Sequence, residues 1–143
     1  MLRHLLSIKC LLVLLLLSVS SELFSQVQFP GKDGERAKYD VKIDIREAYI
    51  SGVCMMMKDE GIVKASIVNE FGLSAVDFTY NPSKDKVKIL NVMSKMDKWY
   101  IKRVLRKDLR NIMHQLPQGI YTYENKKQHI IYTFNPLKDD TKE

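Results

Sequence analysis

The sequence predicts an α+β domain in which a curved antiparallel sheet, a half-barrel of about seven strands, packs against one amphipathic helix. Three observations predict it. Apolar and polar residues alternate from residue 39 onward, the apolar spacing becomes helical after residue 94, and segments rich in Tyr, Ile and Thr return after residue 119. Strands grouped apart from the helix indicate an antiparallel sheet with the helix on one face.

The first five strands form a predicted meander. Apolar residues from Tyr39 to Ile45 alternate with charged ones, which is the pattern of a half-buried strand. The second strand is apolar on both faces, so we expect it to lie inside the sheet and to be covered on both sides. The four strands that follow the first are predicted at Ala48–Lys58, Ile62–Phe71, Leu73–Tyr80 and Lys86–Val92.

A helix and a hairpin complete the predicted order of elements. Ser94 and Asp97 resemble a capping box with Asp in place of Glu, and Pro117 and Gly119 end the helix. The final hairpin is predicted from residues 120–123 and 129–134. The apolar positions of the helix are Ile101, Leu105, Leu109, Ile112, Met113 and Leu116.

Residues 1–25 have the layout of a secretory signal peptide, with Arg3 and Lys9 before a short apolar block and small residues after it. Cleavage fits after Ser21 or after Ser25. The alternative is an uncleaved anchor, but the apolar run is shorter than the roughly 20 residues that a spanning helix needs. Cys10 precedes the apolar block, which is the wrong place for a lipidated cysteine. We therefore expect a flexible leader at 26–38, one domain at 39–137 and a frayed tail at 138–143.

Export has consequences for the chemistry of the mature chain. The sequence predicts secretion across the inner membrane to the periplasm, with no lipid anchor. Cys54 is then the only cysteine left, so no intrachain disulfide can form, and we expect Cys54 to be a buried apolar residue rather than a nucleophile. Stability must come from packing.

The net positive charge is concentrated in the helix. Removing residues 1–25 takes away Arg3, Lys9 and Glu22 and leaves 21 Lys and Arg against 16 Asp and Glu. Helical spacing places the basic residues on one stripe, with two aromatic residues at its start, which fits an anionic membrane surface. The alternative is a solvated face, with Trp99 closing the open end of the sheet. The candidate surface residues are Trp99, Tyr100, Arg103, Arg106, Lys107 and Arg110.

Motifs for catalysis are missing from the sequence. It contains no Gly-rich phosphate loop, no nucleophile elbow, no paired-histidine metal motif and no Cys-x-x-Cys. We therefore predict no catalytic residues, no metal and no cofactor, and export argues against a nucleic-acid partner. His114 is expected to interact with the last carbonyls of the helix. An enzyme would need a cleft where a carboxylate converges with His129 or Tyr123.

Two segments carry a resemblance to known proteins. Residues 51–58 (SGVCMMMK), with 68–73 (VNEFGL) and 77–80 (DFTY), look like a group of uncharacterised exported proteins and lipoproteins of Bacteroidetes bacteria. Residues 96–109 (MDKWYIKRVLRKDL) resemble the helix of the same group. More distantly, the order of strands and helix is similar to lipoprotein carriers of the LolA and LolB type.

The carrier resemblance implies an incomplete barrel around an apolar cavity for acyl chains. The expected function is that of a periplasmic lipid- or lipoprotein-binding domain. The alternatives are that the same residues fill a solid core, and that the chain is an envelope protein-interaction module without a ligand cavity. The oligomeric state stays open. The expected cavity residues are Met55, Met56, Met57, Val68, Phe78, Tyr80 and Leu90.

Overall fold

The computed structural model describes residues 7–10 and 29–138. Residues 7–10 are helical and exposed. The rest of the expected signal peptide, both expected cleavage positions and the tail beyond residue 138 lie outside the described residues. Within the described ranges, no helix combines the length and the apolar character needed to cross a bilayer.

Seven strands form a single sheet in which every neighbouring pair is antiparallel. The predicted α+β half-barrel is confirmed. The spatial order is β5-β4-β3-β2-β1-β7-β6, so the final hairpin extends the meander by pairing β7 with β1. The strands are β1 (Arg36–Ile45), β2 (Ala48–Asp59), β3 (Ile62–Asn69), β4 (Ser74–Asn81), β5 (Lys86–Val92), β6 (Thr122–Asn125) and β7 (Ile130–Pro136).

Irregular positions in the ladder favour the curl of the sheet. The register shifts between Ile67 and Val68 and again between Asp77 and Phe78, and such bulges bend a strand and increase its twist. Gly52 is required in β2 because a Cβ there would lie 2.1 Å from the carbonyl oxygen of Val68.

One long helix, α1 (Trp99–Gln115), packs against the sheet between two short 3₁₀ turns, Ser94–Met96 and Leu116–Gln118. The predicted capping box does not form. Lys98 is the N-cap residue and no side chain caps the helix, because the chain between Ser94 and Asp97 makes a separate turn. Met96 packs against the core from that turn.

The core fills the space between α1 and the sheet face that it covers, which we call the inner face. The alternating positions of β1 point there, as predicted, and the helix contributes Leu105, Leu109 and Met113. Cys54 is buried, as predicted, and burial raises the pKa of its thiol. The largest fully buried side chains include Tyr39, Phe78, Phe134 and Tyr132.

Two expectations for the strands and the leader are wrong. Strand β2 is not covered on both sides, because Met55 and Tyr49 are exposed while Cys54 and Met56 are buried. The apolar residues of its second face lie on the solvent side of the sheet, which we call the outer face. The leader is held by the β2–β3 turn over 31–35, where Lys58 exchanges backbone hydrogen bonds with Gly34 and Glu35.

A buried carboxylate joins the middle of α1 to the final hairpin. The hydroxyl of Tyr132 donates to Asp108 Oδ2 at 2.7 Å, and Asn125 Nδ2 donates to both carboxylate oxygens at 3.0 Å. Asn111 Nδ2 adds a bond to the Tyr123 hydroxyl at 2.9 Å. These bonds fix β6 and β7 against the helix.

Candidate functional site

An open apolar pocket of about 410 Å³ lies mainly on the outer face of the sheet, across strands β1 to β5. We call it the methionine groove. Its volume is within the roughly 300–1,000 Å³ of ordinary ligand pockets. Its lining residues are Arg36, Ala37, Lys38, Met55, Met56, Met57, Lys64, Ala65, Ser66, Phe78, Thr79 and Leu90.

The groove combines an apolar floor with cations. Met55 and Leu90 expose their side chains, and Leu90 does so because the register shift between β4 and β5 leaves it opposite no residue of β4. Arg36, Lys38 and Lys64 supply the positive charge. Lys64 also forms an ion pair with Asp59 at 3.0 Å. The arrangement suits an apolar chain with an acidic group.

A carboxylate beside the groove is engaged by hydroxyl groups. Ser66 and Ser74 donate to Asp77 Oδ1 at 2.5 and 2.7 Å. Burial raises the pKa of Asp77, but hydrogen bonds from Ser66, Ser74 and Asn91 outweigh it and hold the pKa below its usual value. Asp77 is therefore not freely solvated, and the hydroxyl hydrogen of Ser66 is donated to it.

The structure brings five of the seven expected cavity residues to the groove, namely Met55, Met56, Met57, Phe78 and Leu90. Val68 is half-buried outside it, and Tyr80 is buried on the inner face, where its hydroxyl donates to Asp85 at 3.1 Å.

The groove differs from the enclosed cavity that the carrier resemblance implies, because it is open and lies on the face away from α1. Sequence reasoning missed Arg36 and Lys64, although their polar positions in alternating strands placed them on the outer face.

A second pocket of about 410 Å³ lies between α1 and β5, and we call it the basic cleft. Four of the six expected surface residues meet there. Trp99 and Tyr100 do not: they contact each other edge to face, 5.9 Å between ring centroids. Trp99 is exposed, so the expectation that it closes the end of the sheet is wrong. The cleft is lined by Asp85, Lys86, Val87, Arg103, Arg106, Lys107 and Arg110.

The Lys and Arg side chains of the basic cleft form no salt bridge within the part of the chain that the structure describes, although the charge of Arg110 helps to lower the pKa of Asp85. The one carboxylate of the cleft, Asp85, is occupied by His114 Nε2 and by the Tyr80 hydroxyl. The hydrogen bond from His114 lowers the pKa of Asp85. The prediction that His114 serves the last helical carbonyls is therefore wrong, because the β4–β5 turn places Asp85 within its reach.

The residues proposed for an alternative catalytic role lie in different surroundings. The hydroxyl of Tyr123 accepts a hydrogen bond from Asn111, and His129 is exposed in the β6–β7 turn. No group of three or more His, Cys, Asp or Glu with the arrangement of a metal site occurs among residues 7–10 and 29–138.

No protein-family model, curated protein or solved structure matches this chain. The resemblance to exported proteins and lipoprotein carriers therefore stays a prediction.

Proposed function

We propose that this chain is a non-enzymatic protein of the bacterial envelope that binds one acyl chain of an acidic amphiphile in the methionine groove. The ligand is a fatty acid or the acyl chain of a lipoprotein, as in the carrier resemblance. The observation that carries the proposal is the exposure of Met55 and Leu90 on an apolar floor with three cations around it.

The physical chemistry of the groove supports an acyl ligand. Each buried methylene contributes about 0.8 kcal/mol, so about eight methylenes would contribute about 6 kcal/mol before the cost of association. Methionine side chains adapt to flexible apolar ligands because they are unbranched and polarisable. Arg36 and Lys38 lie where a carboxylate or phosphate head would pair with them. Because the groove is open, we expect one chain to bind and to be released readily.

Titration with a fluorescent fatty acid tests the proposal. We expect saturable binding by the full chain, and a weakening of about tenfold or more for Leu90→Asp and Met55→Asp, because each places a carboxylate against the acyl chain. Native mass spectrometry of the protein purified from an envelope fraction should show co-purifying lipid in the wild type.

The matched control is Ile131→Asp. Ile131 is an exposed apolar residue of β7 outside the groove, so its substitution should leave the affinity unchanged. Equal affinity in all three variants and the wild type, or wild-type protein that binds no fatty acid and carries no lipid, would refute the proposal.

A protein-interaction role is the second candidate, and the cluster of Lys and Arg side chains in the basic cleft favours it. The acidic surface of a partner would pair with Arg103, Arg106 and Arg110. The sheet edges are poorer contact sites, because β5 carries two exposed lysines and a bulge and β6 has only four residues.

Reversing the three arginines to Glu separates the two candidates. An interaction role predicts loss of binding to a glutamate-rich peptide, whereas fatty-acid binding in the groove should persist. A variant that loses the fatty acid and keeps the peptide would count against both assignments.

A further inference from the structure

The basic cleft lies at a seam between helix α1 and one edge of the sheet. Helix α1 contacts both edge strands, β5 and β6, and so spans the two edges of the half-barrel. At β5 the helix and the strand leave a pocket of about 410 Å³, which is the size of an ordinary ligand pocket. Among the described residues that line it, Val87 is the only apolar one. The cleft therefore suits a small and highly polar ligand.

Five cations converge on the cleft from two elements. Lys86 begins β5, and the other four follow two turns of α1 at Arg103, Arg106, Lys107 and Arg110. All five residues are exposed. The four helical cations are three or four residues apart, a spacing at which like charges repel each other and destabilise a helix. They form no salt bridge among residues 7–10 and 29–138. An anion bound in the cleft would relieve this repulsion.

Carboxylates of the surrounding elements do not neutralise the cleft. Between the start of β4 and the end of α1 the sequence has four of them, and Asp85 is the one in the cleft. Asp97 forms a salt bridge with Lys102 at 2.8 Å, and Asp108 is buried. Asp77 lies beside the methionine groove. Five cations and one carboxylate thus leave the cleft with an excess of four positive charges.

The size of this excess indicates the kind of anion. A phosphate group carries a charge of about −1.5 to −2 near neutral pH, so two phosphate groups nearly balance the excess. Arginine guanidinium groups hold phosphate oxygens through two parallel hydrogen bonds, which lysine cannot do. Arg103 and Arg110 are about 10 Å apart along the helix axis, which leaves room for two phosphate groups side by side.

We propose that the basic cleft binds a small molecule with two phosphate groups, held by the guanidinium groups of Arg103, Arg106 and Arg110 and by the ammonium groups of Lys86 and Lys107. This chemistry is shared by a free bisphosphate and by a lipid headgroup with two phosphates. A partner protein fits less well, because protein interfaces have an apolar centre and place their charges at the rim. The proposal does not depend on a ligand in the methionine groove.

Calorimetric titration of the full chain with inorganic pyrophosphate, in buffer without divalent cations, tests the proposal. We expect saturable binding that is about tenfold or more tighter than that of orthophosphate, because a single phosphate engages only some of the cations. Vesicles of phosphatidylcholine that contain phosphatidylinositol bisphosphate separate the two sources of the ligand. Vesicle binding that pyrophosphate displaces assigns the site to a headgroup. Pyrophosphate binding without vesicle binding assigns it to a soluble molecule.

The variant Arg106→Gln should weaken pyrophosphate binding about tenfold or more, since it removes a cation from the middle of the cleft. Arg106→Lys keeps the charge but loses the planar guanidinium, so binding should weaken about threefold or more. Arg46→Gln is the matched control, because Arg46 is an exposed arginine of the β1–β2 turn outside the cleft, and its affinity should equal that of the wild type. All three variants should keep the circular dichroism of the wild type and its affinity for fatty acid.

Four results would overturn the proposal. Pyrophosphate that binds no more tightly than orthophosphate would show that the cleft does not recognise two phosphates. Equal affinity of Arg106→Gln and Arg46→Gln, or wild-type affinity of Arg106→Lys, would reduce the binding to a general effect of positive charge. A glutamate-rich peptide that binds more tightly than pyrophosphate and displaces it would assign the cleft to an acidic protein partner.

Discussion

Two aspartates hold helix α1 in different ways. Asp108 is 1% exposed and accepts hydrogen bonds from two neutral groups of the final hairpin, the Tyr132 hydroxyl and the Asn125 amide. Asp85, in the β4–β5 turn, also has two partners, His114 and Tyr80, but it lies at the surface. The residue type and the number of partners are the same, and the surroundings differ.

The difference shows how burial sets the value of a hydrogen bond. Water replaces a lost partner of Asp85 at little cost, whereas nothing replaces a lost partner of Asp108. The buried network therefore fixes the helix to β6 and β7, and the surface cluster adds only a local restraint. The predictions below follow that order of effect.

The largest effect is expected for Asp108→Ala. The substitution leaves the Tyr132 hydroxyl and the Asn125 amide without their acceptor, so the free energy of unfolding should fall by about 3 kcal/mol in urea denaturation. Asp97→Ala is the control, since Asp97 is an exposed carboxylate paired with Lys102 at 2.8 Å. A loss no greater than that of the control would contradict the comparison.

A smaller loss is expected for Tyr132→Phe, about 2 kcal/mol, because Asp108 then keeps only the Asn125 amide. Burial, and then the charge of Asp108, raise the pKa of Tyr132 far above its ordinary value of 10.0. As the pH rises, the Tyr132 hydroxyl therefore loses its proton in the unfolded chain before it does so in the folded chain. The contribution of Tyr132 to the free energy of unfolding is complete below pH 10 and declines as the pH rises further. In Tyr132→Phe, the free energy of unfolding should therefore fall less steeply above pH 10 than in the wild type. An unchanged dependence on pH above pH 10 would contradict this prediction.

The smallest effect is expected for Asp85→Asn. His114 lowers the pKa of Asp85 in the folded chain. The contribution of Asp85 to the free energy of unfolding is therefore present above the ordinary carboxyl pKa and is lost as the pH falls through the lowered pKa. At neutral pH the free energy of unfolding of the variant should be almost that of the wild type. Measured against pH by urea denaturation, the two free energies should become equal in acid. A loss at neutral pH as large as that of Asp108→Ala would show that the surface cluster anchors the helix.

The elements of the fold were predictable because their periodicity is local. Alternation in β1 and the helical spacing of Leu105, Leu109 and Met113 each follow from a short stretch of sequence. The exposure of the second face of β2 was not predictable from the sequence, because apolar residues occur both in cores and at open grooves. The role of Asp108 was also hidden, since its partners lie 17 and 24 residues away.

Most residues of the candidate sites could be predicted from the sequence, but the place of each site on the fold could not. Met55 and Leu90 were expected to line an enclosed cavity, but the side of the sheet that faces solvent depends on where α1 packs. The basic stripe followed from helical spacing, whereas Lys86 joins it only through the contact of β5 with the helix. The exposed side chains of Tyr49, Phe71 and Trp99 lie at one end of the sheet, and only the sheet topology shows this, because the three residues are far apart in the sequence.

The position of β1 between β2 and β7 has a consequence for the order of folding. Residues 36–81 can form a meander of hairpins as the chain is made, but the other edge of β1 stays unpaired until residues 130–136 arrive. A chain cut before Ile130 would expose a ten-residue edge strand, which is a template for aggregation. Only a chain that includes residues 130–136 can therefore pair both edges of β1 and complete the sheet.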